Sequence, residues 1–570
     1  MKYILGVSGY FHDSSVCLLE NGQLIEFIKE ESLTRIKGSR GFPFRALTFL
    51  AAKYGLSNDN VDHIAFYEKP LRGWALTTYN SLAKPKRSFD LLRSQIKQFW
   101  SGPIHFAGEL KKVIRINENK LVFVPHHLSH ALTALAFAPP QLKNNALLHF
   151  VFDGVGDGNT TSIFRTQKND AQVLFQQDFP HSLGLFYSAV TDYCGFLINE
   201  GEYKLMALAA FGKPVYYDFL REHIFNIEVP KFELDMSWFD YDVSPERSFS
   251  DKWVNKFGPP ILEDELNKMT GNSFQRAADL AMSSQLILEE IINSTIEWGV
   301  EETGVQNITI SGGVAQNSLA MCSASNIASI ATLTIPPSPG DSGAAIGAAN
   351  FAKMMGGSES VHCKEIFFGH SQLDHESAFF QEMFCLEKSY SHMDEMLDDL
   401  ISSGEIICCY FGGNEIGPRA LCNRSIICAA NNKKSVQALN LEIKKREGFR
   451  PLAPVMLRPV AEAWFEINQK VYDCYRWMAL TTMAKEKFPV KYKGVLHVDR
   501  TARVQILDDE MHPLYNFLKR NSGKIDMLVN TSFNVAGDPI VFDAIDCYVN
   551  MSRLGATYVV TDNGLYSLRP

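Results

Sequence analysis

A chain of 570 residues, 46% of them hydrophobic, is far above the size at which a core becomes marginal, and its length favours two to four domains. Its formal charge of −9 gives no general attraction to nucleic acid or to an anionic membrane, and no apolar run approaches the roughly 18 residues that cross a bilayer. The opening Met1-Lys-Tyr-Ile-Leu-Gly-Val-Ser leaves no room for a signal-peptide core. The 11 cysteines are odd in number, form no Cys-x-x-Cys pair and sit in apolar stretches such as those around Cys17 and Cys408-Cys409. Buried reduced thiols in a cytoplasmic protein are the expectation, in place of a disulfide framework or a zinc ribbon.

In chain order, Tyr3 to Phe27 reads as strand, polar turn, strand, Asn21-Gly22 hairpin turn and strand, a common opening for a nucleotide-handling α/β domain. The region from Trp74 to Lys112, rich in Lys, Arg and aromatic residues, carries no motif and reads as a solvated helical pair, with a substrate lid as the alternative. A buried strand from Ala146 ends at Asp153-Gly-Val-Gly-Asp-Gly, and another from Ile308 ends at Ser311-Gly-Gly-Val-Ala-Gln-Asn. Three strand-tip loops of this kind suggest one ligand crevice. Between them, Leu280, Ile287, Leu288, Ile291 and Thr295 mark one face of a long packed helix. Gly and Ser residues after Met355 mark a domain boundary, with a second domain starting near Ser391, and no internal repeat is visible.

His126 and His130 are four apart after Pro125, a residue suited to a helix start, so both imidazoles point to one side as a metal site needs. Residue 127 is His, where the zinc-protease pattern needs Glu. Isolated His pairs also cap helices and fill cores, so a third hard ligand has to decide. Asp341, before a Gly- and Ala-rich helix, is a candidate, although spacing alone favours an N-cap. The densest signal is Gly412 to Ser425 followed by Asn440 to Pro454. Arg419, Arg424, Lys444, Arg446 and Arg450 lie there beside turn-forming Gly and Pro, suited to clasping phosphate oxygens, with a solvated basic face as the bland reading. Arg503, in a strand-like alternation, is a candidate for the same site, and Asn530, Thr531 and Ser532 follow an apolar strand with donors and acceptors for a phosphate. No Walker loop is present.

Taken together and in order, these motifs resemble the carbamoyltransferase family that includes the nodulation-factor carbamoyltransferase and the tobramycin-modifying nebramycin synthase. The match runs from Gly6-Val-Ser-Gly-Tyr-Phe-His-Asp and Glu30-Glu-Ser-Leu-Thr-Arg, through His126-His-Leu-Ser-His-Ala, Asp153-Gly-Val-Gly-Asp-Gly and Gly201-Glu-Tyr-Lys, to Gly417-Pro-Arg-Ala-Leu, Arg450-Pro-Leu-Ala-Pro and Asn530-Thr-Ser-Phe-Asn. The resemblance implies an α/β protein with an N-terminal domain of the actin and Hsp70 fold group over 1–355, a linker over 356–390 and a YrdC-like carbamoyl-adenylate-forming domain over 391–570. It implies that the second domain makes carbamoyl-adenylate from carbamoyl phosphate and ATP, with Mg2+ accompanying the ATP, through Arg419, Arg424, Lys444, Arg446, Arg450, Arg503, Asn530, Thr531 and Ser532.

The first domain would then pass the carbamoyl group to a hydroxyl of a small molecule or glycan. The family pattern places His126, His130 and Asp341 on a divalent metal, Fe2+ in the family's characterised case. It makes Asp153, Lys204, Gly312, Gly313 and Asn317 adenylate-binding, and His12 the base with Asp13 orienting it. Lys204 lies in an apolar run, where an unpaired ammonium is expensive, so it should meet a phosphate or an acid. The implied protein is a monomer or homodimer with no nucleic-acid or membrane partner. The competing readings are threonylcarbamoyl transfer to a tRNA adenosine, which a charge of −9 disfavours, and a non-catalytic nucleotide-binding regulator of the same fold.

Overall fold

The computed structural model describes residues 2–569 except 73–74, 76–77, 79–81, 83–88, 101, 143–144, 169, 370–376 and 390–392. Much of the basic and aromatic stretch within 74–112, and part of the expected linker, therefore lie outside the described residues. The chain divides into two compact units, one of Met1–Glu30 with Gly38–Lys364 and the other of Glu31–Lys37 with Glu365–Pro570.

The first unit holds two five-stranded sheets. In the first, β1 (Tyr3–Ser8), β2 (Ser15–Glu20) and β3 (Gln23–Lys29) form an antiparallel meander, and β4 (Val61–Phe66) and β5 (Leu121–Phe123) add in parallel beyond β1, giving the order β3-β2-β1-β4-β5. Asn21 and Gly22 make the β2–β3 turn with φ of 49° and 83°, the left-handed pair that a tight hairpin requires. The second sheet contains β6 (Leu147–Gly156), β7 (Asn159–Gln167) and β8 (Asp170–Asp178), then β11 (Asn307–Ser311) and β12 (Thr332–Thr334); a separate hairpin of β9 (Phe225–Glu228) and β10 (Lys231–Leu234) intervenes in the chain. Its order is β12-β11-β6-β7-β8, again an antiparallel meander with two parallel strands beyond its first member. The unit is thus a topological repeat, although the sequence shows no repeat. Strand order is set by tertiary pairing and leaves no residue-by-residue trace in the chain.

A helix follows the fifth strand of each half: His126–Phe137 after β5 and Asp341–Met355 after β12. The Asp341–Met355 helix packs on β1, β2 and β4 of the first sheet, the His126–Phe137 helix packs on β6, β7 and β11 of the second, and the two helices pack on each other. Small residues permit this: a Cβ added to Gly347 would lie 1.7 Å from Ser129 O. The long helix spans Asn272–Thr303 and buries Leu280, Ile287, Leu288, Ile291 and Thr295.

The second unit is built on an eight-stranded mixed sheet in the order Phe384–Ser389, Gly564–Leu568, Tyr558–Thr561, Ile407–Tyr410, Arg424–Ala429, Met527–Ser532, Ala453–Met456 and Gln505–Ile506. Its core draws Met396, Leu397 and Ile401 from the Met393–Ser403 helix and Leu514, Phe517 and Leu518 from the Pro513–Arg520 helix against Ile407, Val455 and Leu528. Burying three large side chains from one helix contributes about 5–8 kcal/mol, well beyond what helix propensity supplies over so short a segment. The expected linker over 356–390 is corrected, because Ala378–Met383 is a helix and Phe384–Ser389 pairs with Gly564–Leu568 as a sheet strand. Glu31–Lys37 also belongs to this unit: Arg35 donates to Pro539 O and Ile540 O, each at 2.9 Å, and pairs with Asp546 at 2.9 Å.

Candidate metal centre and cation cluster

In the first unit, His126 and His130 stand one turn apart on a helix, and their Nε2 atoms are 3.0 Å from each other. His126 Nε2 lies 3.1 Å from Asp153 Oδ2 and 3.5 Å from Asp341 Oδ1, and His130 Nε2 lies 3.3 Å from Asp341 Oδ1. All four side chains are buried, and one ligand atom from each falls within 4.8 Å of the others. Ligand atoms around a four-coordinate ion bonded at ~2.1 Å are about 3.4 Å apart, so this spacing and the two-nitrogen, two-oxygen donor set fit a divalent first-row ion. Gly156 makes room for the His126 ring, since a Cβ there would lie 2.0 Å from its Cδ2. Burial works to raise Asp341, yet hydrogen bonds from His126 and His130 and the charge of His12 reverse it and hold the carboxyl well below the usual range. Burial likewise opposes charge on His126, and the bonds to Asp153 and Asp341 overcome it and push the imidazole up. Asp153, expected among the adenylate contacts, thus stands with the candidate metal ligands.

His12 Nδ1 is 2.9 Å from Asp13 Oδ2, and its ring lies 4.5 Å from that of Phe11. Burial lowers His12, but the bond to Asp13 and the charges of Asp341, Asp13 and Asp153 raise it to about 9. Gly312 adopts φ 91°, where an added Cβ would lie 2.2 Å from Phe152 O, and Gly313 N donates to Asp153 Oδ1 at 2.8 Å. The glycine loop and the candidate metal ligands therefore share Asp153. Asn317 caps the Ser318–Ser325 helix by accepting from Ala320 N at 3.0 Å and donates to Gln285 Oε1 at 2.9 Å. Lys204 meets an acid, Glu263, at 2.5 Å, and lies 5.5 Å from the Phe196 ring centroid.

The cationic residues of the second unit divide into two groups. Burial depresses Arg503 well below the usual range, and the neighbouring guanidiniums of Arg419, Arg446 and Arg450 depress it further; its Nε has no hydrogen-bond partner. Arg446 donates to Thr531 Oγ1 at 2.7 Å, and Arg450 pairs with Glu447 at 3.0 Å. Like charges gathered around a buried guanidinium make a focus for an anion. Arg424 and Lys444, expected at the same site, are held by protein atoms. Arg424 is 0% exposed, lies 3.5 Å from the Tyr410 ring centroid and donates to Phe411 O and Gly412 O. Lys444 is buried and donates to Ser532 O at 2.8 Å, Asn534 O at 2.6 Å and Asn534 Oδ1 at 2.7 Å, which ties down the segment holding Thr531 and Ser532. Asn530 is likewise a strut, donating to Ala420 O at 2.8 Å and Gln505 Oε1 at 2.7 Å. Ser532 Oγ donates to Asn534 Oδ1 at 2.7 Å.

Sequence reasoning missed Glu415. Its buried Oε1 accepts the N–H groups of Leu421, Asn423 and Arg424 at 3.0, 3.1 and 2.8 Å, so it braces the loop that presents Arg419. An acidic residue inside a Gly- and Arg-rich stretch was the available signal.

Residues 3–350 match the family described as carbamoyltransferase N-terminus, and residues 398–567 match carbamoyltransferase C-terminus. The chain belongs to the carbamoyltransferase family. Among relatives of this carbamoyltransferase, a protein of Synechocystis sp. described as uncharacterized is 31% identical over 99% of this chain and 96% of its own. Nodulation protein NolNO of Sinorhizobium fredii is 27% identical over 97% of this chain and 77% of its own. The 3′-hydroxymethylcephem-O-carbamoyltransferase of Amycolatopsis lactamdurans is 30% identical over 30% of this chain and 32% of its own. Among the described residues of this carbamoyltransferase, no helix is long and apolar enough to cross a membrane. The His126, His130, Asp153 and Asp341 group could hold a metal ion, and the charges of Arg419, Arg446 and Arg450 act on the buried Arg503.

Proposed function

We propose that this enzyme is an ATP-dependent O-carbamoyltransferase. The second unit, in this reading a YrdC-like domain, uses carbamoyl phosphate, ATP and one water: water takes the phosphoryl group and leaves as phosphate, and the freed carbamate oxygen bonds to the α-phosphorus of ATP as the bond to pyrophosphate breaks, giving carbamoyl-adenylate. The first unit, in this reading of the actin and Hsp70 group, transfers the carbamoyl group to a hydroxyl of a small molecule or glycan. There the acceptor oxygen bonds to the carbamoyl carbon, the bond to the AMP oxygen breaks, and the hydroxyl proton passes to a base. The observation that carries the reading is Arg503, a guanidinium with an unpartnered Nε amid Arg419, Arg446 and Arg450. Such a group is stabilised by a polyanion held among the four cations.

In the first unit His126, His130, Asp153 and Asp341 would hold a divalent ion, Fe2+ in our reading. That ion supplies Lewis-acid polarisation of a carbonyl or phosphoryl oxygen and offsets the charge of the two carboxylates. With the Asp341 and Asp153 charges that help hold His12 up thus offset, the ring, oriented by Asp13 through Nδ1, is free to take the acceptor's proton at Nε2. The Gly312-Gly313 turn, its N–H groups held by Pro339 O and Asp153 Oδ1, presents no side chain and so lets the adenylate approach the backbone closely.

The test is pyrophosphate release from ATP, with and without carbamoyl phosphate, by wild type, Arg503→Ala, Arg419→Ala and His130→Ala. Release is expected to need carbamoyl phosphate, to fall by at least about 10–100-fold in the arginine variants through loss of a charge-assisted contact, and to survive in His130→Ala. Release that ignores carbamoyl phosphate, or arginine variants as active as wild type, would sink the activation chemistry.

A further inference from the structure

Asp157 occupies the two-residue turn between β6 and β7, with φ 52° and Gly158 behind it at φ 86°, and it is 6% exposed. An Asp-Gly pair suits such a turn. The turn does not explain where the carboxylate goes. Oδ2 accepts the N–H of His126 at 2.8 Å, and Oδ1 accepts the N–H of Lys69 at 2.9 Å. His126 is the first residue of its helix, and Pro125 before it provides no side-chain cap. Leading N–H groups of a helix have no internal partner, and the helix dipole favours an anion at that end. Lys69 belongs to the loop that leaves β4. That loop also carries Tyr67, whose ring centroid is 5.0 Å from that of His126 and whose carbonyl accepts Ser129 Oγ at 3.0 Å. One buried carboxylate therefore joins the β6–β7 turn, the loop after β4 and the first turn of the helix that bears both histidines.

We infer that Asp157 is a positioning residue for His126. By bonding the backbone of His126 it holds the first helical turn against the β6–β7 turn, which begins four residues beyond Asp153 in the chain. The approach of His126 Nε2 to Asp153 Oδ2 depends on that hold. Without it the helix end frays and the four ligand atoms lose their spacing. The inference rests on the metal reading of His126, His130, Asp153 and Asp341.

To test it, full-length protein carrying Asp157→Ala, Asp157→Asn or Asp178→Asn is titrated with Co2+ and with Fe2+ against a competing chelator, and the Co2+ absorption spectrum is recorded. Asp157→Ala is expected to lower metal affinity by about 10–100-fold, the usual effect of losing an outer-shell partner, and to change the Co2+ spectrum. Asp157→Asn keeps one oxygen for one of the two N–H groups and should fall between, and it carries the test if the alanine variant does not fold. Asp178→Asn changes a residue on the same sheet that bonds Asn159 at 2.7 Å, and should leave both readouts unchanged. If wild type binds the ions and both Asp157 variants match it in affinity and spectrum, the positioning role is overturned and the metal reading stands. If wild type binds neither ion, or His130→Ala binds both as tightly as wild type, the metal reading itself fails.

Discussion

His149 and His512 show how burial decides the state of a single side chain. His149, on β6, sits between the hydroxyls of Thr309 at 2.8 Å and Thr166 at 2.7 Å, and burial lowers its pKa to about 3. His512 Nδ1 accepts from Leu514 N at 3.1 Å, which leaves Nε2 to donate to Asn423 Oδ1 at 3.2 Å; burial lowers it to about 4 against an opposing charge on Asp509. In both, the folded state binds the proton more weakly than the unfolded chain. The stability they contribute is present above the unfolded value near 6.5 and is lost as pH falls from there toward 4 and 3. For His512 that amounts to about 3 kcal/mol. Urea denaturation at pH 7.5 and pH 5 should show a drop that His512→Gln reduces; equal stability at the two pH values would refute the assignment. Residue identity alone did not disclose such states. Arg419 and Arg424 lie five positions apart in one Arg- and Gly-rich stretch, yet Arg424 is sealed beside Tyr410 while the charge of Arg419 acts on Arg503, a difference that depends on where the sheet passes.

At the scale of elements, the close approach of the His126–Phe137 and Asp341–Met355 helices is what brings His130 and Asp341 together. Gly347 is the point where the approach leaves no room, because a Cβ would meet the backbone oxygen of Ser129 at 1.7 Å, and backbone cannot step aside cheaply. Gly347→Ala is expected to cost about 3 kcal/mol or more and to weaken metal binding. Gly108→Ala, in the Phe106–Val113 helix with open space around it, should be neutral or stabilising by up to about 1 kcal/mol. Chemical denaturation of both variants checks the pair, and a neutral Gly347→Ala would show that the helices need not be this close. The elements themselves were readable wherever the signal is local, as in the Asn21-Gly22 hairpin, the buried face of Asn272–Thr303 and the one-sided His126 and His130 pair. The Phe384–Ser389 strand was missed because its segment is mostly exposed and only its pairing with Gly564–Leu568 makes it a strand.

Over the whole molecule, both halves of the first unit place their candidate site residues at related positions. His12 and Asp13 lie between the first and second strands of one half, and in the other half Asp157 lies in the corresponding turn, with Asp153 near the end of the strand that leads into it. The helices after the fifth strands supply His126 and His130 from one half and Asp341 from the other. The second unit depends on a piece of chain far away in sequence, through Arg35 and its bonds to Pro539, Ile540 and Asp546. Arg35→Ala should destabilise that unit by about 2–3 kcal/mol through lost charge-assisted hydrogen bonds. Hydrogen exchange should then quicken in Ala544–Leu554 and stay unchanged in Asn272–Thr303; unaltered exchange in both would remove the strap from the second unit's framework. By itself the sequence determined the α/β class, the ordered family motifs, the histidine pair and the concentration of cations in the second half, because periodicity, turn chemistry and charge are properties of neighbouring residues. Only the tertiary structure decided that Asp153 stands with the histidines, that Lys204 meets Glu263, that Arg424, Lys444 and Asn530 are struts, and that the first unit is a topological repeat. These facts turn on which distant segments share a buried space, and burial and pairing there set the charge, the partners and the role of each side chain.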